Sequence, residues 1–213
     1  PVVKTTGVRE TEGFTERVFE TDPSIWLTAR ENFGKDEKFG KLTLAIGDKG
    51  RFSEAMKSLF ENGSEGEKIS AVELRGYGDT QAVGRNYYAY DHFGTDGSDN
   101  CYAYLLGKTY VGLRADDLLA LVRAYKEERG VTEIRLVAEG YAGTVALVAA
   151  IAEPEAFTSV ELVGDLPTWT EQLGRKYGPI PLTNAIHGVL NDFDIDDLQG
   201  YLQSTGTLRS ANK

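Results

Sequence analysis

Apolar residues along this chain come in short blocks whose spacing switches between the period of strands and that of helices. From Thr15 to Phe33, TERVFETDPSIWLTARENF predicts two strands around a turn at Asp22-Pro23-Ser24, with Val18, Ile25, Trp26 and Leu27 as strand formers. KLTLAIGDKG predicts a strand over Leu42 to Ile46 that runs into a glycine-bounded loop. RFSEAMKSLFENG predicts a helix: Ser53 caps it, Phe52, Met56, Leu59 and Phe60 share a face, and Gly63 ends it. KISAVELRGYGDT predicts a strand over Ile69 to Leu74 with a glycine-rich exit. The clearest helical pattern is ADDLLALVRAYKEERG, where Leu118, Leu121, Val122 and Tyr125 recur at helical spacing, acids open the segment and basic residues approach Gly130. EIRLVA then predicts a strand, GTVALVAAIAEP a helix closed by Glu153-Pro154, and TSVELVG a further strand.

Strands alternating with helices imply an α/β fold, a mostly parallel sheet with helices on its faces. Ligands of such sheets bind at the carboxyl ends of the strands. Those ends carry the loops Gly47 to Gly50, Arg75 to Thr80, Ala138 to Gly143 and Gly164 to Trp169. No internal repeat, low-complexity tract or long linker interrupts the pattern, so residues 1–213 read as one domain. Residues 1–14 read as an extended lead-in, and residues 81–111, rich in Tyr, Gly and Asp, as an excursion over the surface.

Composition narrows the chemistry. An apolar fraction of 41% with 10% aromatics argues for a packed core over disorder. The net charge of -10 disfavours nucleic-acid phosphates and anionic membrane surfaces, and suits solubility. Cys101 is the single cysteine, which excludes an intrachain disulfide and a thiolate metal cluster. With two histidines, His92 and His187, a histidine-rich metal site is disfavoured as well. No cofactor is implied. No apolar stretch has the length of a bilayer span, and PVVKTTG lacks the features of a signal peptide. A start at Pro1 suggests a mature form or a piece of a longer chain.

The order of these stretches resembles the α/β-hydrolase fold, and most closely its acetyl-xylan-esterase and dienelactone-hydrolase-like branch, found in multidomain bacterial esterases. RVFETDPSIWLTARENF resembles that fold's opening hairpin, KLTLAIGDKG the strand that ends in its oxyanion loop, and KISAVELRGYGDT the next strand with an Arg-Gly-x-Gly turn. The segment from Tyr102 to Ile151 resembles the helix, strand and nucleophile elbow, including a Leu-Gly-x-x-x-x-Gly-x-Arg approach. NDFDIDDLQGYL resembles the segment before the strand that bears the catalytic acid. The resemblance implies a three-layer sandwich with an N-terminal hairpin, ending before the last strands. It also leans towards a secreted or periplasmic location.

The departures fall on the chemistry. A serine hydrolase elbow reads Gly-x-Ser-x-Gly, whereas the aligned residues are Ala138, Glu139, Gly140, Tyr141 and Ala142, followed by Gly143. Gly140 brings no oxygen or sulfur and cannot form an acyl-enzyme. The family's acid and histidine follow NDFDIDDLQGYL, but no histidine follows His187 before Lys213. The expected site is therefore a vestigial elbow and oxyanion loop, formed by Gly47, Asp48 and residues 138–143, without catalytic groups. Asp79, Asp165 and Trp169 are the candidate cleft contacts for a ligand, although loop acids more often cap helices or face solvent.

Other reactive residues favour plain roles. His92 reads as a surface residue, His187 as part of a short helix in NAIHGVL, and Cys101 as inert packing. Tyr87, Tyr88, Tyr90, Phe93, Tyr102 and Tyr104 crowd the excursion, and with Tyr141 and Trp169 they suit the loop's own core, a sugar platform or an interface. Three functions follow as expectations. One is an inactive hydrolase-like domain packed in cis or in trans on a carbohydrate-esterase domain, with self-association as a variant. Another is a saccharide-binding module on a retired scaffold. The last is an esterase that uses residues outside the elbow.

Overall fold

The computed structural model describes residues 3–81, 97–175 and 181–209. Eight strands form one sheet: β1 (Lys4–Thr11), β2 (Phe14–Asp22), β3 (Ile25–Glu31), β4 (Lys41–Gly47), β5 (Ile69–Glu73), β6 (Glu133–Glu139), β7 (Ser159–Val163) and β8 (Leu208–Arg209). Their spatial order is β1-β2-β3-β5-β4-β6-β7-β8. The first three strands and their junction with β5 are antiparallel, and the others pair in parallel. The helices are α1 (Glu54–Asn62), α2 (Gly97–Leu105), α3 (Tyr110–Arg129), α4 (Ala142–Ala152), α5 (Trp169–Gly174) and α6 (Ile195–Ser204).

Alternation along the strands divides the core into two layers. Leu42, Leu44 and Ile46 of β4 join the larger cluster with Leu118, Leu121 and Val122 of α3 and with Val145 and Leu147 of α4. Ala45, Ala71 and Val137 point the other way and pack on Met56 of α1. The sheet is thus covered by helices on both faces, as a mostly parallel sheet requires. Ser53 caps α1, accepting the Met56 N–H at 3.3 Å.

Three elements differ from the expectation. Residues 1–14 hold a full strand, because β1 pairs along β2 from Lys4↔Glu20 to Thr11↔Phe14. α3 begins at Tyr110, five residues before Ala115, where the expected segment opens, since the Thr109 hydroxyl accepts the Gly112 N–H at 3.0 Å. α2 lies inside the expected excursion, while residues 82–96, which carry His92, Tyr87, Tyr88, Tyr90 and Phe93, lie outside the described residues.

The buried face of the β2–β3 hairpin joins Phe19, Leu27 and Ala29 with charged residues that hydropathy alone would turn outward. Thr15, Arg17, Phe19 and Thr21 are the buried residues of β2, and Trp26 of β3 is exposed while Glu31 is wholly buried. Chemistry explains the burial of these charges: Arg17 Nε meets Glu31 Oε2 at 3.1 Å, and the Tyr125 hydroxyl donates to Glu31 Oε1 at 2.7 Å. Tyr125 also meets Ser70 Oγ at 2.8 Å. Buried charges persist only when paired and hydrogen-bonded. Tyr125→Phe deprives the buried Glu31 and Ser70 of a partner. A loss of about 1–3 kcal/mol is expected in urea denaturation, and an unchanged midpoint would show the network to be idle.

Candidate functional site

At the carboxyl ends of β4 and β6, Gly47 and Glu139 pair in register, so the two loops that follow start side by side. The chain leaves β6 through Gly140, whose φ of 60° is a left-handed conformation costly for other residues, and enters α4 at once. Ala138 and Ala142 are buried at 1% and 0% exposure, and Gly143 lies tight against Leu162 and Leu166. This is a strand, a sharp turn and a helix in the geometry of a nucleophile elbow.

The space beside Gly140 is filled by a residue from the other loop. A Cβ built on Gly140 would lie 2.7 Å from both carboxylate oxygens of Asp48. Asp48 Oδ2 accepts the Tyr141 N–H at 2.9 Å. In a hydrolase elbow, the N–H of the residue after the nucleophile is a donor of the oxyanion hole. Here an internal carboxylate takes it, placed at the positive end of α4. Asp48 therefore caps a helix across the sheet rather than the one that follows it.

Glu139, buried at 9% exposure, turns towards α1 and accepts the Ser53 hydroxyl at 2.5 Å. Burial pushes the Asp48 carboxyl above its ordinary value; the Tyr141 N–H opposes this, and the charge of Glu139 reinforces it. Asp48 Oδ1 is shielded from solvent and has no hydrogen-bond partner, as suits a carboxyl that holds its proton more readily than usual.

The remaining candidates are spread around this centre. Asp79 pairs with Arg51 Nη2 at 3.0 Å, and its N–H donates to Glu73 Oε2 at 3.1 Å. Glu73, absent from the expected site, binds the Arg51 guanidinium, the Arg51 N–H and the Thr28 hydroxyl, packed so closely on Gly78 that no Cβ fits there. Asp165 is exposed and meets Arg175 at 3.4 Å. Trp169 is a correction to the expected cleft surface: it is buried at 5% exposure, with its indole N–H donated to the Asn184 carbonyl at 2.9 Å. His187 lies in an exposed turn rather than a helix, its ring 5.5 Å from that of Tyr104, and Cys101 is exposed rather than packed.

The Leu-Gly-x-x-x-x-Gly-x-Arg approach has a structural use. Arg114 is buried over the rings of Tyr77 and Tyr110, at 3.7 Å and 4.6 Å, and donates to the Arg75 carbonyl at 2.9 Å. Arg75 in turn grips Asp117 of α3 through two bonds of 2.5 Å and 2.6 Å. These two arginines fix the turn after β5 to α3. Among the described residues no group of three or more His, Cys, Asp or Glu side chains is arranged to hold a metal ion.

No family model and no curated protein matches the sequence. Solved structures do match. A provisionally assigned acetyl xylan esterase from Bacteroides fragilis overlays with a TM-score of 0.71 at 15% identity, over 95% of this chain and 60% of its own. The epoxide hydrolase VrEH1 from Vigna radiata overlays with a TM-score of 0.47 at 20% identity, over 75% of this chain and 43% of its own. The first likeness, with the sheet order and elbow, makes the chain an α/β-hydrolase-like fold. The chain spans 60% of the length of that esterase structure.

The Asp48 carboxyl makes a pH-dependent prediction. Its folded-state value is raised, so its stabilising contribution is full below the unfolded value of about 3.8 and is lost as pH rises through the folded value. Asp48→Asn keeps an acceptor for the Tyr141 N–H without the charge. Its thermal midpoint is expected to equal that of the wild type at about pH 3 and to exceed it increasingly towards neutrality. A variant less stable than the wild type at neutral pH would contradict the burial argument.

Proposed function

We propose that this chain is a hydrolase-fold domain without serine-esterase chemistry, which packs on a carbohydrate-esterase domain and shapes its cleft. The carrying observation is the Asp48 carboxylate beside Gly140, bonded to the Tyr141 N–H. An acyl-transfer site needs a nucleophile and a free oxyanion donor at this point. The elbow offers glycine for the one and an occupied amide for the other. A carboxylate there also repels the negative charge that an attacked ester carbonyl develops.

The packing role is supported by an apolar cluster at the end of α2. Tyr102, Leu105 and Leu106 are 66%, 79% and 76% exposed. Large apolar side chains exposed close together in sequence are a feature of interaction surfaces. The saccharide-binding alternative drew on Trp169 among other aromatic residues, and that ring is buried and engaged.

The purified protein is expected to hydrolyse p-nitrophenyl acetate and acetylated xylan no faster than a heat-denatured control. Gly140→Ser is expected to stay inactive and to lose about 1–2 kcal/mol, because a left-handed residue gains a side chain that collides with Asp48. Turnover that survives purification and disappears in Ser53→Ala or Asp48→Asn would overturn the reading. For the packing role, a serine esterase should co-purify with the wild type and be lost from Leu105→Glu/Leu106→Glu. Equal recovery with both proteins would remove that part of the proposal.

A further inference from the structure

A groove lies at the end of the sheet away from the elbow. Thr5 to Val8 of β1, Arg17 of β2, the segment after β3 and the last residues of α3 line an open groove of about 570 Å³. Its inner residues include Arg17 and Arg129, each only 3% exposed, and its outer ones include the exposed Lys35 and Lys38.

The chemistry of the inner residues is unbalanced. Arg17 Nη2, Arg129 Nη2 and the Thr5 hydroxyl are all shielded from solvent and have no hydrogen-bond partner. Arg17 spends its Nε on Glu31, and Arg129 Nη1 reaches only the Glu37 carbonyl, at 3.5 Å. Both arginines act on the single buried carboxylate of Glu31, so the group as a whole carries a surplus positive charge. The other acids here, Asp36, Glu37 and Glu128, are exposed or half-buried. Exposed acids neutralise a buried cation weakly, and a guanidinium nitrogen left buried without a partner is costly.

The strand geometry serves the same place. The pairing of β1 with β2 shifts between Thr5 and Gly7, leaving Thr6 as an extra residue whose hydroxyl bonds the Val18 carbonyl at 3.3 Å. Such bulges re-aim neighbouring side chains and recur beside sites. A cationic groove in a chain of net charge -10 is also a local reversal that general solubility does not explain.

We propose that this groove binds a small molecule through an oxyanion, a phosphate or a carboxylate, seated between Arg17, Arg129 and Thr5. The forked guanidinium donors suit either group, and the hydroxyl adds a third donor. The groove has room for more than the anion alone, so the oxyanion can belong to a larger molecule. Lys35 and Lys38 are exposed on the outer side of this groove, where their charges attract an anion. The inference is independent of the elbow and of whether that elbow is inactive.

The test is an NMR titration of the whole chain at low ionic strength, with inorganic phosphate in one arm, acetate in a second and chloride as the control. Saturable shifts are expected at the Thr5 to Val8 amides and at the Arg17 and Arg129 Nε–H signals. The arm that saturates identifies the head group. Lys35→Met/Lys38→Met, which removes both exposed charges and with them the Lys38 bond to the Glu128 carbonyl, should weaken binding several-fold while leaving the amides away from Glu128 in place. Arg129→Gln should abolish it, and the wild-type Arg Nε–H signals report binding even if that variant fails to fold. Equal shifts with chloride, shifts centred elsewhere, or an unchanged affinity in the double lysine variant would overturn the proposal.

Discussion

The approach of the Asp48 carboxylate to Gly140 is the constraint around which the candidate site is arranged. It demands a residue without a side chain at the turn, because any Cβ there would lie 2.7 Å from two oxygens. It ties the loop after β4 to the start of α4 through the Tyr141 N–H. The tie compensates for what the turn lacks. A left-handed residue followed directly by a helix leaves amides in need of acceptors, and here a carboxylate from a neighbouring strand meets one of them. The turn has the geometry of an elbow, and the Asp48 carboxylate lies beside its glycine.

The sequence made the frame legible but not the contacts that close it. Apolar blocks at Leu42 to Ile46, Ile69 to Leu74 and Ile134 to Ala138 each became a parallel strand, because a strand buried on both faces is apolar almost throughout. Gly140 was legible as a turn without a nucleophile, since glycine carries no chemistry wherever it sits. Asp48 was legible only as a loop acid. Its meeting with Gly140 spans 92 positions of sequence and is set by the register of β4 on β6, which no local pattern encodes. Trp169 illustrates the opposite error: a ring at a strand exit suits a ligand surface equally well until α5 turns it inward.

The polar residues that hydropathy sends outward hold much of the molecule together. Arg17, Glu31, Glu73, Arg114 and Asp117 are all nearly inaccessible, and each lies in a network that spans elements far apart in sequence. Glu73 ends a buried strand and anchors Arg51, while Arg114 fastens the turn after β5 to α3. A charged residue within an apolar run was the available signal, since such a residue is buried only with a partner. Its partner was not visible, because the pairing is tertiary. At Arg17 and Arg129 the pairing is incomplete, since one guanidinium nitrogen of each is buried without an acceptor.

The most direct measurement of the central claim follows the Asp48 carboxyl and the Tyr141 amide together by NMR as pH is varied. An Asp48 carboxyl that titrates above its ordinary value of 3.8, with the Tyr141 amide shifting along the same curve, is the predicted result. A carboxyl that titrates at the ordinary value, with the Tyr141 amide indifferent to it, would mean that the elbow stands open and that Asp48 does not occupy it.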